Sequence, residues 1–597
     1  MAKGRAHTPA MREYHVATKG NDGHEGTISR PLRSISAAAS RAHAGDTITV
    51  HEGTYRERVA PPRGGTSDAN RIVYRAAPGE HVIVSGAEPV KGWVRLKGDA
   101  WKVTVPNSMF GKFNPYSDVI HGDWFSPNGR VHHTGAVYLN SDWLAEAAKL
   151  DDVFEESGET SLWYGEVGDQ ATTLWAQFRG VDPNEQQTEI NVRQTVFYPE
   201  VTGINYITVK GFVLCRAAAQ WAPPTAEQAG VIGPHWSKGW IIENNVIRNS
   251  ICSGISLGKY GDQWDNTSAN SAQGYVKTIQ HALADGWTRE QIGHHIVRNN
   301  TISDCGQTGI VGSLGAAFST VTGNTIHDIH VRRLFGGAEI AGIKFHGAID
   351  VQISHNQIDH TPLGLWLDWM AQGTRVSGNL FHDNDADIFV EVDHGPFLID
   401  NNLLLSSPSL RDNSQGGAYV HNLFAGAVRV NSYDGRQTPF MEAHSTALAG
   451  LHDNPRGDDR FYNNLFIQHA DLSAYDNAPL PMLTAGNVFL DGAKPSRFEE
   501  HPLVIADSDP GLRLIEKSGG LYLEFKFVQE RIDEQPHKLI TSALLGRAVI
   551  PDLPYDQPDS SPIRIDTDYM GKTRSESNPT PGPFERPGQG DLTLKVR

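Results

Sequence analysis

The chain has 597 residues, 39% of them hydrophobic, with 60 glycines, 33 prolines and a formal net charge of −17 at pH 7. This negative charge, without any basic block, argues against a nucleic-acid partner. It would also repel an acidic polysaccharide such as pectate, so we expect a neutral substrate. The cysteines Cys215, Cys252 and Cys305 are too few for a disulfide framework or a zinc site.

The chain start carries no visible export signal. Residues Met1 to Ala10 lack the apolar core of a secretory signal peptide, and no run of about 18 apolar residues follows. We therefore expect a cytoplasmic protein that has no membrane partner.

The first two predicted domains differ in their strand patterns. Residues 14–91 combine short apolar strands with one helical stretch, Leu32 to His43, and predict an N-terminal cap and the first coils of a solenoid. From 92 to 198, alternating strands are separated by polar turns, as in Thr173-Leu-Trp-Ala-Gln-Phe178. This second pattern predicts an inserted β-sandwich domain.

Residues 199–495 contain a repeat in which Asn precedes two or three apolar residues. Five of the intervals between these asparagines lie between 20 and 24 residues, and the longer intervals predict coils with inserted loops. Such a period, with short apolar strands, is typical of a parallel β-helix. The repeat asparagines are Asn245, Asn300, Asn324, Asn356, Asn379, Asn402, Asn422, Asn464 and Asn487.

The predicted fold class is therefore all-β, a right-handed parallel β-helix (solenoid) interrupted by a β-sandwich domain. A helical insertion is expected at about 262–292, from the periodicity of Tyr275 to Ala284 and Thr288 to Ile292. Residues 496–597 predict a C-terminal β-rich segment and tail.

Two carboxylates share one phase of the repeat. Asp368 lies 12 residues after Asn356, and Glu391 lies 12 residues after Asn379. Equivalent positions of adjacent coils are adjacent rungs of one parallel sheet, roughly 4.7–4.9 Å apart. Retaining glycosidases hold their two carboxyl groups about 5–5.5 Å apart, whereas inverting enzymes need roughly 6.5–9.5 Å. The spacing therefore favours a retaining glycosidase.

Alternation along these strands predicts which side chains share a face with the carboxylates. Leu365 and Leu367 must point into the apolar bore, since a buried charge there would have no partner. The opposite, outward face is expected to carry a panel of polar and aromatic groups around the acid pair. Aromatic faces bind the C–H surfaces of sugar rings, so we interpret the panel as a sugar-binding site and not as an ordinary solvated surface. This predicted panel comprises Lys344, His346, Trp366, Asp368, Phe389 and Glu391, with Trp369 next to it.

Other candidate metal ligands are weak. His132-His133 and His294-His295 lack a third ligand at suitable spacing, and the Asp383, Asp385, Asp387 series lacks the glycine and distal Glu of a calcium loop. We predict no catalytic metal and no cofactor.

The catalytic segments resemble those of glycoside hydrolase family 120 β-xylosidases. The resemblance is carried by Gly364-Leu-Trp-Leu-Asp-Trp369 with Ala371-Gln-Gly-Thr-Arg375, and by Phe389-Val-Glu-Val392 with His394-Gly-Pro396. Further similar segments are Tyr14-His-Val-Ala17, His51-Glu-Gly-Thr-Tyr-Arg56, Phe110-Gly-Lys-Phe-Asn-Pro115, Trp221-Ala-Pro-Pro-Thr225 and Trp236-Ser-Lys-Gly-Trp240. The similarity covers nearly the whole chain and weakens after about residue 430.

The resemblance implies a retaining hydrolase that releases xylose from non-reducing ends of short xylo-oligosaccharides, and a homo-oligomer (dimer or tetramer). It implies Asp368 as nucleophile and Glu391 as acid/base, the pair that the repeat spacing selects. It also suggests Glu339 and Trp124 as substrate contacts, the latter reaching in from the inserted domain. One departure is Ala338, where family members can carry His. The expected substrate-binding residues are Glu339, Lys344, His346, Trp366, Trp369, His394 and Trp124.

Three alternatives stay open at this point. One is a related pentosidase such as an α-L-arabinofuranosidase, because arabinofuranose can present similar edges to the site. The second is a polysaccharide lyase or galacturonase on the same fold, which the negative charge disfavours. The third is a non-catalytic carbohydrate-binding solenoid.

Overall fold

The computed structural model describes residues 11–155 and 158–597. The ten N-terminal residues, on which the predicted location partly depends, lie outside the described residues. The chain divides into two compact units. The first comprises the chain up to Ile120, Arg130–Gln220 and Ala229–Ile251, and the second comprises His121–Gly129, Trp221–Gln228 and Cys252–Arg597.

The first unit contains parallel coil strands before and after an inserted domain. One set of paired parallel strands is Glu13–Val16, Thr47–Val50, Ile72–Ala76, Ile207–Lys210 and Ile241–Glu243, and a second set is Gly53–Tyr55, Val82–Ser85, Val213–Ala217 and Val246–Ser250. The helix Ile35–Arg41 begins at Ser34, whose side chain accepts a hydrogen bond from the Ala37 amide. It lies within the predicted stretch 32–43.

The inserted domain is a β-sandwich whose two sheets share one apolar core. Val137 and Ile190 from one sheet pack in the same cluster as Trp101, Trp163 and Leu174 from the other. This arrangement buries the inward face of each sheet, and with the coil strands on either side it confirms the predicted fold class. One sheet is ordered Asp142–Trp143, Val137–Leu139, Thr188–Asn191, Ala87–Pro89, and the other Ala145–Glu146, Leu162–Val167, Ala171–Gln177, Ala100–Pro106, Val94–Lys97.

The second unit carries the main parallel β-helix, whose coils contribute to long parallel sheets. Sheet A contains Ile296–Arg298, Thr320–Thr322, Gln352–Ser354, Thr374–Ser377, Phe397–Asp400, Gly417–Val420, Arg460–Tyr462, Leu483–Ala485 and Glu499–Glu500. Sheet B contains Thr301–Cys305, Thr325–Ile329, Gln357–Asp359, Leu380–His382, Leu403–Leu404, Leu423–Phe424, Leu465–Ile467, Val488–Leu490 and Leu503–Ile505. Sheet C contains Ser253–Ser256, Thr308–Ser313, Ala341–His346, Leu365–Asp368, Ile388–Glu391, Leu410–Asn413 and Val428–Val430.

The repeat asparagines of the second unit form a continuous buried ladder. The Asn356 Nδ2 donates to Asn379 Oδ1 at 3.0 Å, and Asn379 Nδ2 donates to Asn402 Oδ1 at 2.9 Å. The same bond joins each consecutive pair from Asn300 to Asn487, where Glu499 accepts the last one at 2.8 Å. Each side chain therefore satisfies its buried neighbour, which explains why Asn recurs once per coil.

Other elements complete the described chain. The helix Ala272–Ala284 begins at Ser271, and the hairpin Asp434–Met441 with Leu448–Asn454 lies in the long interval between Asn422 and Asn464. Within the described residues, no helix is both long and apolar enough to span a membrane. Further elements are the antiparallel strands Arg513–Lys517, Gly520–Val528 and Gln589–Lys595, the pairs Phe125–Ser126 with Gly336–Gly337 and Arg547–Ala548 with Leu553–Pro554, the helices Gln529–Ile532 and Ser542–Leu545, and the 3₁₀ segments Asn107–Met109, Leu150–Phe154 and Leu472–Tyr475.

Three predicted boundaries are wrong. The sandwich begins before residue 92, because the strand Ala87–Pro89 belongs to one of its sheets. Residues 288–292 form turns and not helix, because the preceding helix ends at Ala284 and Gly286 takes a positive φ of 89°. The coil strands continue past residue 495 to Leu503–Ile505, which pairs in parallel with Val488–Leu490. In this last coil Glu499 takes the place of the repeat Asn. The Asn repeat therefore could not predict that a further coil follows residue 495.

Candidate active site

The two carboxylates lie in register on adjacent rungs of sheet C. Asp368 is the parallel partner of Glu391, and His346 is the partner of Asp368 one coil earlier. Lys344 and Trp366 are partnered in the same way. Adjacent rungs are roughly 4.8 Å apart, so the predicted stacking of the acid pair is present in the structure.

Side-chain alternation follows the prediction, but the panel is not an exposed surface. Lys344 has no exposed area, and His346, Asp368 and Trp366 are 3%, 6% and 9% exposed. Other segments of the second unit cover these groups, so their charges interact in a medium of low polarity. Electrostatic effects in the panel are therefore much larger than on a solvated β-helix face.

Lys344 occupies the centre of the charged cluster. Its ammonium donates to Asp368 Oδ2 at 2.5 Å, lies 3.5 Å from Glu339 Oε1 and sits 3.0 Å from the centroid of the Trp366 ring. The other oxygen of Asp368, Oδ1, is buried and has no hydrogen-bond partner among the described residues. One carboxylate oxygen is thus fixed by a cation and the other remains available for chemistry.

Glu339 joins this cluster through His346. The His346 Nε2 lies 3.1 and 3.2 Å from the two Glu339 oxygens and 3.4 Å from Asp368 Oδ2. Glu339 has a positive φ of 70°, and its carbonyl oxygen accepts hydrogen bonds from Thr308 Oγ1 and Gln307 Nε2. A non-glycine residue held in this conformation costs free energy, a common feature of functional sites.

Glu391 is held by a residue that sequence reasoning did not find. Arg436, on the hairpin strand Asp434–Met441, donates to Glu391 Oε1 at 2.6 Å and to Asp434 Oδ2 at 2.7 Å. Glu391 retains more exposure than Asp368, with 15% of its side chain accessible. The acid that reaches solvent is therefore Glu391.

The surroundings move the two glutamate pKa values apart. Burial, followed by the negative charge of Asp368, raises the pKa of Glu391 above its usual value, although Arg436 and Lys344 act in the opposite direction. Burial also opposes ionisation of Glu339, but Lys344 and His346 outweigh it and hold the pKa of Glu339 below its usual range. One site thus contains a carboxyl poised to be protonated beside one that stays ionised.

Trp124 reaches the site from a loop of the second unit, not from the sandwich. Phe125–Ser126 pairs antiparallel with Gly336–Gly337, and the Ala338 amide donates to the Trp124 carbonyl at 3.1 Å. A Cβ at Gly337 would lie 2.2 Å from that carbonyl oxygen, so only glycine permits this approach. The expectation that Trp124 belongs to the inserted domain is wrong, because residues 121–129 group with the second unit.

The inserted helix Ala272–Ala284 supplies another wall. Tyr275, Thr278, Ile279 and Ala282 are its buried residues, at the spacing of one helical face. The Tyr275 ring packs edge-on against His346 at a centroid distance of 5.0 Å, and against Trp369 at the same distance. The inserted helix therefore covers the part of the panel that contains His346 and Trp369.

These elements enclose a cavity of about 230 Å³. Drug-sized ligands occupy pockets of roughly 300–1,000 Å³, so this space suits a single sugar ring. Polar groups for hydroxyls and aromatic faces for C–H surfaces both line it. The lining residues include Trp124, Asn270, Tyr275, Ala338, Glu339, His346, Trp366, Asp368, Trp369, Glu391 and Arg436.

Ligand atoms of Glu339, His346 and Asp368 lie within 4.8 Å of one another, a spacing that could hold a metal ion. The Lys344 ammonium, however, already contacts Asp368 and Glu339 from the same cluster. A cation beside it would meet strong repulsion in this buried setting. These contacts favour an ammonium-neutralised carboxylate cluster, and the absence of a catalytic metal stays a prediction.

Among the predicted catalytic and substrate-binding residues, the structure brings all but one to the cavity or its charged cluster. His394 is the exception: its Nδ1 accepts from Gln415 Nε2 at 2.6 Å, and its Nε2 lies 2.9 Å from Thr438 Oγ1. Burial lowers the pKa of His394 to about 4. One ring nitrogen thus holds the hairpin strand that carries Arg436 and the other is bonded to Gln415, and His394 does not line the cavity.

Sequence reasoning missed Arg436, Tyr275 and Asn270. All three lie in insertions between repeat asparagines, and the long intervals revealed that insertions exist. The repeat does not extend into the insertions. It therefore could not indicate which residues of an insertion lie at the site.

Comparisons with known proteins agree with this site. Residues 90–190 match the family described as "Glycoside hydrolase 120, insertion domain", and residues 235–430 match "Right handed beta helix region". A solved structure described as "The complex structure of XylC with xylose" is 42% identical, covers 98% of this chain and 100% of that chain, and has a TM-score of 0.94.

Two curated relatives share only short segments. The uncharacterized protein YwoF of Bacillus subtilis is 35% identical over 85 residues, which is 14% of this chain and 18% of that protein. The pectate lyase PEL9 of Emericella nidulans is 38% identical over 78 residues, 13% of this chain and 19% of that protein. The chain thus spans less than a fifth of the length of either curated relative.

A carboxylate pair on adjacent rungs, inside a ring-sized cavity on a parallel β-helix with its matching insertion, defines a glycoside hydrolase. The near-complete overlap with XylC and the match of the insertion domain identify the family. The chain belongs to glycoside hydrolase family 120.

Proposed function

We propose that this enzyme is a retaining, exo-acting β-xylosidase that releases xylose from the non-reducing ends of short β-1,4-xylo-oligosaccharides. The observation that carries the proposal is the in-register pair Asp368 and Glu391, with Asp368 Oδ1 buried and unpartnered among the described residues. A rung spacing of roughly 4.8 Å leaves no room for the water that an inverting enzyme places between its carboxyl groups.

Xylose as the released sugar is supported by the size of the cavity and by the 42% identity to XylC, whose structure holds xylose. Cleavage from a chain end is supported by the enclosure of the cavity under Trp124 and Tyr275. A ring-sized site that is walled by Trp124 and Tyr275 has room for one terminal sugar of a chain.

In the first step, Asp368 Oδ1 attacks the anomeric carbon and forms an ester bond as the glycosidic bond breaks. Lys344 keeps the other oxygen in place, so the attacking oxygen is pre-oriented. Glu391, whose pKa is raised by burial and by Asp368, donates its proton to the leaving oxygen.

In the second step, the ionised Glu391 removes a proton from water, and that water attacks the anomeric carbon and releases Asp368. Two inversions at the same carbon retain its configuration. Glu339, ionised and paired with His346, is positioned as an acceptor for sugar hydroxyl groups.

Glu391→Ala tests the assignment of the acid/base. It should still form the glycosyl-enzyme from nitrophenyl xyloside, whose leaving group needs little protonation, and then stall. Azide should restore turnover and yield the β-glycosyl azide. Hydrolysis of xylobiose should fall by at least about 10²–10⁴-fold.

Asp368→Ala is the matched variant for the nucleophile. It should give no β-azide product, and any azide product should have α configuration. A β product from Asp368→Ala together with none from Glu391→Ala would show that the two roles are reversed.

A second candidate activity, α-L-arabinofuranosidase, is favoured by Ala338, which lines the cavity where relatives can carry a hydrogen-bonding His. Rates on a panel of nitrophenyl pentosides separate the two activities. A lyase acting on polygalacturonate is disfavoured, because the cavity already contains Glu339, Asp368 and Glu391. Ultraviolet absorbance after digestion of polygalacturonate tests that activity.

We also propose a cytoplasmic location, which suits imported short oligosaccharides, and assembly as a homo-oligomer (dimer or tetramer). Cell fractionation and light scattering test these two points. A monomer's mass in light scattering would contradict the second.

A further inference from the structure

A second, open groove adjoins the cavity on the far side of Glu391. It has a volume of about 830 Å³ and shares Trp366 and Glu391 with the smaller cavity. If the smaller cavity binds the terminal sugar, as the proposed function requires, this groove receives the leaving group. The chemistry of its lining then determines which aglycones the enzyme accepts.

The groove is built on one continuous side-chain ladder of sheet C. Lys344, Trp366, Phe389, Arg411 and Arg429 are successive parallel partners on five neighbouring rungs. Trp366 and Phe389 have ring centroids 5.1 Å apart at 30°, which gives an aromatic floor beside the acid pair. Beyond that floor, on the leaving-group side, the ladder ends in two arginines.

These two arginines have no carboxylate partner. The Arg411 guanidinium lies 4.3 Å from the centroid of the Phe389 ring, and neither Arg411 nor Arg429 forms an ion pair with any residue that the structure describes. A third arginine of the groove, Arg333, is already paired with Asp385 at 2.7 Å. The groove therefore holds two uncompensated positive charges on a protein whose net charge is −17.

Arg411 and Arg429 stand on adjacent rungs, whose backbones are roughly 4.8 Å apart, and their like charges repel each other. An anion bound between them removes that repulsion. The planar guanidinium fork matches a carboxylate in a two-point contact, and stacking on Phe389 orients the fork of Arg411. The ladder thus presents a stacking platform for a sugar followed by a receptor for a carboxylate.

We propose that this groove binds the carboxylate of an acidic aglycone, namely a xylo-oligosaccharide that carries a uronic acid on the sugar next to the scissile bond. Arg411 and Arg429 lie one and two rungs beyond Phe389, so they reach a substituent of the leaving sugar and not the sugar in the smaller cavity. The overall negative charge disfavours long polyanions, whereas this local pair selects a single carboxylate.

The test compares xylotriose with xylotriose that bears glucuronic acid on its middle sugar. The wild-type enzyme should show a kcat/KM for the acidic substrate about tenfold or more above that for xylotriose, since charge-assisted hydrogen bonds are the strong ones. In the Arg411→Gln, Arg429→Gln double variant, this ratio should fall to about one, chiefly through a loss of kcat/KM for the acidic substrate. The wild-type preference should also weaken as salt is added.

Two controls separate this role from a structural one. Arg513→Gln removes an exposed arginine of the same unit that does not line the groove, and it should leave the ratio unchanged. Arg411→Lys keeps the charge but loses the fork, and it should keep part of the preference. A wild-type ratio near one, or a double variant that loses both substrates equally, would overturn the proposal.

Binding in the Asp368→Asn background distinguishes this inference from the proposed function. Calorimetry with the same two oligosaccharides should show tighter binding of the acidic one, and the two glutamine substitutions should abolish the difference. Equal affinities would refute the acidic groove even if xylotriose is cleaved. A clear preference without cleavage of xylotriose by the parent enzyme would support the groove and contradict the β-xylosidase assignment.

Discussion

If Glu391 is the acid/base, as proposed, we expect Arg436 to set the pH range over which Glu391 acts as an acid. Its guanidinium donates to Glu391 Oε1 at 2.6 Å, and its charge lowers a pKa that burial and Asp368 raise. Arg436→Gln removes that charge and keeps a polar side chain. The ionised form of Glu391 then becomes less stable, so the pKa of Glu391 rises and the residue remains protonated to higher pH.

The size of the shift can be worked from the contact. Two unit charges about 4 Å apart interact by about 4 kcal/mol at an effective dielectric constant of 20, which corresponds to about 3 pKa units. The Arg436 side chain is 34% exposed and also binds Asp434, so solvent and this second partner screen much of its effect. We expect a net upward shift of about one unit.

The assay is the pH dependence of kcat/KM on xylobiose, whose poor leaving group requires protonation. The alkaline limb reports the acid of the free enzyme, so it should move upward by about one pH unit in Arg436→Gln. Arg436→Lys retains the charge and should leave the limb near its wild-type position. An alkaline limb that stays in place or moves downward in Arg436→Gln would refute the electrostatic reasoning.

Further changes test other parts of the molecule. Lys344→Met leaves Asp368 buried without its cation, so kcat/KM on nitrophenyl xyloside should fall by at least about 100-fold and the melting temperature should drop; activity within tenfold of wild type would contradict this. Asn379→Asp removes the donors of a buried ladder position and should lower the free energy of unfolding in urea by about 2–4 kcal/mol, whereas the exposed control Asn477→Asp should be neutral. Ala338→His adds a donor at the cavity wall and should change the ratio of β-xyloside to α-L-arabinofuranoside rates by about tenfold; an unchanged ratio would exclude Ala338 from sugar selection.

The repeat was sufficient to predict the β-helix and the stacking of the acid pair. Each coil must place one Asn in the buried ladder, so the positions of Asn356 and Asn379 define the phase of their coils. Strand alternation then determines that Asp368 and Glu391 leave the bore on the same face. These results depend on strand alternation and on the length of the repeat, and both can be read directly from the sequence.

The repeat does not predict where the residues of the inserted segments lie. Arg436 and Tyr275 return to the site because the hairpin and the helix that bear them pack back over sheet C. Trp124 was assigned to the inserted domain by its position in the chain, but pairing of Phe125–Ser126 with Gly336–Gly337 brings it into the second unit. Packing between distant segments decides these positions.

The same packing decides the chemistry of the panel. Sequence alternation predicted an outward face, and an outward face would normally be solvated, with weak charge interactions. The covering helix, loop and hairpin bury the panel, and the burial of Glu391 itself, followed by the charge of Asp368, raises the pKa of Glu391. The sequence by itself thus determined which carboxylates are neighbours, whereas the tertiary structure decided the raised pKa of Glu391, because its desolvation depends on every segment that excludes water from it.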